Sequence, residues 1–152
     1  MNFQGNGEPP HNRAVWMELL SQSQPATVAR LAHAVEDLTP VEVTRPPAQS
    51  LVLLTLEDSV EGNPFHPGEI LVSTCEVRLA GQLGFGICLG GDLERARSCA
   101  ILDAALQAAL PHTPEILRVL GAEQARLQQL RHAEQEMAQA TRVHFDTMDS
   151  QR

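Results

Sequence analysis

The sequence predicts an α+β fold: an antiparallel sheet of about four strands, two N-terminal and two C-terminal helices packed on it, and an extended C-terminal tail. Three features carry this. Two strand-like runs flank Gly81-Gln82, and a glycine at the first central position of a two-residue loop suits a type II′ hairpin turn. A nearly all-apolar segment occupies 93–110 and stops at Pro111. Apolar residues at helical spacing recur near both ends of the chain.

Taken in order, residues 1–12 read as a flexible leader, 13–148 as a single domain and 149–152 as a disordered tail. Val15, Trp16, Met17, Leu19 and Leu20 give a short helix over 13–20 with an apolar stripe. Pro25 suits the first turn of a second helix, which Val28, Leu31, Ala32 and Val35 carry to about Leu38. The alternation from Val41 to Arg45 predicts a short strand ended by Pro46-Pro47. Residues 51–56 are apolar on both faces, the pattern of a central or twice-covered strand. A long loop, 57–68, follows; it holds Glu57, Asp58 and Glu61 but no basic residue.

With its turn at Gly81-Gln82, the hairpin sets Cys75 opposite Cys88 and Leu79 opposite Gly84. One face then carries Leu71, Cys75, Val77 and Leu79 beside Gly84, Gly86, Cys88 and Gly90. Glycines in a row remove side chains and let a helix lie close. The helix from Leu93, capped by Asp92, is the natural tenant of that groove. Its polar stripe is so narrow, with only Ser98, Asp103 and Gln107 between 98 and 110, that it must be buried on most sides. A last helix, with Thr113 as cap and Pro114 at its first position, runs to about Ala140 with an interruption expected at Gly121. Alternation of Val143, Phe145 and Thr147 fits an extended tail or an added strand.

Composition excludes several functions. A formal charge of −8 disfavours nucleic acid and anionic membrane as partners. All eleven basic residues are arginine, so this chain supplies no Walker-A or Schiff-base lysine. Three cysteines without paired spacing suit a reducing cytoplasm and build no zinc ribbon or iron–sulfur site, and no apolar run approaches a signal peptide or membrane span.

The polar residues nominate no catalyst. Cys75 and Cys88 read as buried thiols before they read as a redox pair. The run Gly84-Phe85-Gly86 to Gly90-Gly91-Asp92 lacks the spacing of a phosphate loop, and the Asp92 carboxylate already takes the amide an anion would want. His66 reads as a loop histidine, and His132 with Glu136 as a solvated pair lacking a third metal ligand. Asp103, on the apolar helix, needs a partner, and a bond to an arginine or to backbone outweighs a catalytic role. No cofactor is expected. The hairpin's other face carries Leu83, Phe85, Ile87 and Leu89. Either the chain's own helices cover it, or a neighbouring subunit does.

Several motifs stand in a telling order: Arg13-x-x-Trp16-Met17; Arg45-Pro46 before Leu51-Val52; Pro64-Phe65-x-x-Gly68-Glu69; Cys75-x-Val77-Arg78-Leu79; Gly84-x-Gly86; Gly90-x-Asp92; Asp103-Ala104 with Gln107; and Thr141-Arg142-Val143-x-Phe145-x-Thr147-Met148. Together, over about 13–148, they resemble the PhnG family, the G subunit of the carbon–phosphorus lyase core complex of phosphonate catabolism.

The resemblance implies a non-catalytic subunit working with the H, I and J subunits, closest to I. The complex, with an ATPase-like subunit, displaces adenine from ATP by an alkylphosphonate, giving a ribose 1-phosphonate 5-triphosphate. Nucleosidase-like chemistry is implied for the I subunit and radical C–P cleavage for J. Trp16, Phe85, Ile87, Leu89, Phe145 and Met148 are the residues expected to meet a partner. The chain departs from the family pattern in its acidic loop, Glu57 to Glu61, and at Thr74, Phe85, Ile87 and Gly91, where relatives are more basic or polar. A diverged homologue that self-associates as a scaffold or binding module, a homodimer when alone, is the alternative reading. An independent enzyme using Asp103 or His66 ranks last.

Overall fold

The computed structural model describes residues 12–140, apart from 59. The expected leader, save Asn12, and the extended and terminal tail segments lie outside the described residues. Within them the order is α1 (Arg13–Gln22), α2 (Pro25–Glu36), β1 (Val41–Glu57), β2 (Pro64–Leu79), β3 (Gln82–Leu89), α3 (Leu93–Gln107) and α4 (Thr113–Ala140). The fold is α+β, and its sheet is antiparallel with three strands in the order β1-β2-β3.

Among the described residues the strands number three rather than four because 41–45 and 51–56 belong to one long β1. Proline lacks a ladder donor but is tolerated where a strand bulges at a sheet edge. β1 is such an edge, and its register slips between Val43 and Arg45 and again between Arg45 and Ala48, around Pro46-Pro47. The expected loop 57–68 is likewise shorter. Pairing continues to Glu57 opposite Pro64, leaving a turn over 58–63 in which Gly62 takes φ +71°.

The hairpin turn sits one residue earlier than expected. Ala80 (φ +48°) and Gly81 (φ +79°) are its two central residues, the left-handed pair of a type I′ turn. Leu79 therefore faces Gln82, Cys75 faces Gly86 and Val77 faces Gly84. Cys88 lies opposite Ser73, not Cys75. Partners move by two positions, which preserves the faces, since strand side chains alternate with period two.

The glycine groove holds its helix. A Cβ built on Gly84 would lie 2.0 Å from the carbonyl oxygen of Ala100, and one on Gly86 would lie 1.9 Å from that of Ala96. The facing stripe is Ala96, Ala100 and Ala104, one helical turn apart, so α3 approaches the sheet as backbone against backbone. Gly90 has another reason: nothing crowds it, and it takes φ +84°.

The helices are layered rather than all packed on the sheet. α3 covers the sheet, α2 packs on α3, α1 lies against α3 and β3, and α4 touches α1 and α3. The core gathers Leu20, Val28, Leu31 and Val35 around Ile101 and Leu102, with Cys75, Val77 and Leu79 beneath. α4 begins at Thr113, runs without interruption through Gly121, and buries Ile116 and Leu120 before its second half becomes exposed.

Candidate functional site

Two regions hold the side chains singled out in the sequence. The first centres on Asp103, a carboxylate with no exposure to solvent. Burial of that kind costs several kcal/mol unless every lone pair is used. Here five donors converge. Oδ1 accepts from Arg13 Nε at 3.2 Å and from the indole N–H of Trp16 at 2.9 Å. Oδ2 accepts from a second Arg13 nitrogen at 2.8 Å, from the backbone N–H of Phe85 at 3.0 Å and from Gln107 Nε2 at 3.1 Å. The bond to Asp103 holds the Arg13 guanidinium above its usual pKa.

Both structural expectations for Asp103, an arginine and backbone, are thus met at once. The arrangement leaves no oxygen open to a substrate, so it ties α1, α3 and β3 together rather than doing acid–base work. Gln107 extends the device: its Nε2 also donates to the carbonyl of Leu83 at 2.8 Å. Leu83 C=O and Phe85 N–H belong to the outer edge of β3, so α3 finishes that edge with side chains where another strand would lie.

Two more α3 residues tie the helices, and nothing in their spacing announced it. One Arg95 nitrogen donates to the carbonyls of Ser21 and Ser23, each at 2.6 Å, satisfying the C-terminal end of α1. Arg97 pairs with Glu36 of α2. Partners more than sixty residues away leave no local signal.

The cysteines are inert packing. Cys75, Cys88 and Cys99 are buried and free. Burial pushes all three thiols upward, that of Cys99 to about 12, which disfavours the thiolate that nucleophilic or redox chemistry requires. His66 is exposed, its Nδ1 3.1 Å from Thr55 Oγ1 across the β1–β2 pair. His132 and Glu136 pair at 3.3 Å on an exposed helix face. No group of three metal-ligating residues occurs among the described residues, and no helix there is long and apolar enough to cross a membrane.

The second region is the sheet beyond α3. The segment read as a twice-covered strand is bare: Leu51 is 60% exposed, Leu53 58%, and Val52 and Leu56 are exposed too. Across from them Phe65 and Leu71 are also exposed. The sheet face opposite α3 carries an open groove of about 320 Å³, bounded by Val52, Ile70, Val72, Ile87 and Leu89, with Ser21 and Gln22 of α1 at its rim. Of the expected partner-facing residues, Ile87 and Leu89 border this groove, Leu89 at 71% exposure. Phe85 is half-buried, and Trp16, also half-buried, is held by Asp103. Phe145 and Met148 lie outside the described residues.

Residues 11–150 match a family described as phosphonate metabolism protein PhnG. The chain is also similar to the alpha-D-ribose 1-methylphosphonate 5-triphosphate synthase subunit PhnG of Rhizobium meliloti (strain 1021). Identity is 35% over 133 residues, which cover 87% of this chain and 85% of that relative.

Proposed function

The chain belongs to the PhnG family, and from that premise we propose that it is an accessory, non-catalytic subunit of a ribose 1-methylphosphonate 5-triphosphate synthase, in the carbon–phosphorus lyase core complex. The similar protein of Rhizobium meliloti is named a subunit of that synthase. In this role the chain supports transfer of an alkylphosphonate onto the ribose of ATP with release of adenine, in the cytoplasm. The H, I and J subunits are its partners, I the closest. Trp16, Phe85, Ile87, Leu89, Phe145 and Met148 contribute to the contact.

One observation carries the reading. Asp103, the one charged side chain buried among the described residues, is fully consumed by Arg13, Trp16, Phe85 and Gln107, while apolar side chains on both faces of the sheet, Leu51 and Leu53 on one and Val52 and Leu89 on the other, are left exposed. Chemistry is closed and association is open.

Co-expression with the H, I and J subunits tests the proposal. Retention of the chain on a tagged I subunit through purification is expected; failure to co-purify with any of the three overturns it.

A further inference from the structure

The two edges of the sheet are finished differently. At β3, Leu83 C=O and Phe85 N–H are taken by Gln107 and Asp103, so no strand can be added there without dismantling the buried carboxylate. At β1 nothing equivalent exists among the described residues. Leu71 C=O points toward β3, where it accepts from Gly90 N–H. Antiparallel pairs alternate between bonded and unbonded, so Leu51, which faces Leu71, turns its own N–H and C=O away from β2. The register is unbroken from Ala48 to Leu54, and Gln49 and Leu53 do the same. Among the described residues, no backbone bond reaches this outer side of β1.

Length and chemistry define what fits. Pro46 and Pro47 close the edge on one side and the slip after Leu54 closes it on the other, leaving a window of ordinary strand length. Both faces there carry exposed apolar side chains, Leu51 and Leu53 on one and Val52 on the other. The arm from 48 to 71 carries Glu57, Asp58, Glu61 and Glu69 and no arginine or lysine. A second copy of this chain, itself at −8, would bring the same carboxylates to the contact; a basic partner would neutralise them.

We infer that the outer edge of β1 over 48–54 accepts an extended strand from a partner protein, one with alternating apolar side chains and arginine or lysine facing the acidic tip. The inference rests on the proposed function for the identity of that partner. Main-chain bonds from Gln49, Leu51 and Leu53 would supply affinity, and the apolar faces would supply register.

The test compares Leu53→Pro with Leu53→Ala in the full chain, each co-expressed with the H, I and J subunits. Both lose the side chain; only proline loses the outward N–H, at an edge position where the ladder to β2 needs none. Leu53→Pro is expected to weaken retention by about tenfold relative to Leu53→Ala, the loss of one interfacial bond. Should circular dichroism show Leu53→Pro unfolded, Glu57→Arg with Glu61→Arg replaces it and is expected to weaken retention likewise. Equal retention of the folded variant and its comparator overturns the strand-addition inference and leaves the proposed function standing. Absence of wild-type retention overturns both. A homodimer of the isolated chain that Leu53→Pro disrupts would assign the edge to a second copy and overturn the inference.

Discussion

At its β3 side the sheet is closed: α3 lies in the groove of Gly84 and Gly86, and Asp103 and Gln107 finish the outer edge. At its β1 side the same sheet extends into an arm on which Leu51, Leu53 and Leu56 are exposed alongside the carboxylates. The closed side is built from glycine, alanine and one satisfied charge; the open side is built from leucine, valine and phenylalanine. The richer apolar sequence is the one left in water. Hydrophobic content therefore locates surface that wants cover, and only the small residues show where cover within the chain is found.

The contrast breaks most severely at the groove. Gly86→Val places branched carbon against the Ala96 carbonyl, and a loss of about 3 kcal/mol or more is expected. Gly68→Ala in the arm, where nothing lies within 4 Å, should move the urea midpoint hardly at all. A Gly68 variant as damaging as Gly86→Val would erase the distinction between the two regions.

Removing the buried carboxylate should come next. Asp103→Ala strands Arg13, Trp16 and the Phe85 amide, and a loss of about 3–5 kcal/mol is expected in equilibrium unfolding. Glu61→Ala at the arm's tip should cost under about 0.5 kcal/mol.

Alkali offers a milder probe of the closed side. Burial pushes Cys99 up to about 12 from an ordinary 9.0. Below pH 9 both folded and unfolded chains hold the proton, and the stabilisation is complete. Between pH 9 and 12 the unfolded chain holds fewer protons, so stability falls as pH rises, by about 1.4 kcal/mol per unit. Cys99→Ala should flatten that part of the slope; an unchanged slope would remove Cys99 as its source.

The smallest stability effect belongs to the arm itself. Leu51→Ser with Leu53→Ser should alter the unfolding free energy of the isolated chain by about 0.5 kcal/mol or less per site. A thermal shift as large as that of Asp103→Ala would mean that these leucines are packed after all.

What the sequence disclosed follows the same division. The faces of the hairpin were legible because period-two alternation survives a misplaced turn, and the glycine groove because Gly84 and Gly86 have no other reason to recur. The strand count was not, because Pro46-Pro47 stops an interior strand but only bulges an edge, and edge position is a tertiary fact. The pattern at 51–56 correctly reported a demand for cover and said nothing of who meets it. Asp103 was visible as a carboxylate needing a partner; that Arg13 and Trp16 answer it, 90 and 87 positions away, is settled by topology. Arg95 and Arg97 were silent for the same reason.

Amide hydrogen exchange, read residue by residue with and without the H, I and J subunits, tests the central claim most directly. The account predicts that the Leu51 and Leu53 amides exchange fast in the isolated chain and slow markedly in the complex, while the Phe85 amide, held by Asp103, is slow in both. Leu51 and Leu53 amides that exchange equally fast with and without the partners, or that are already as slow as Phe85 in the isolated chain, would contradict it.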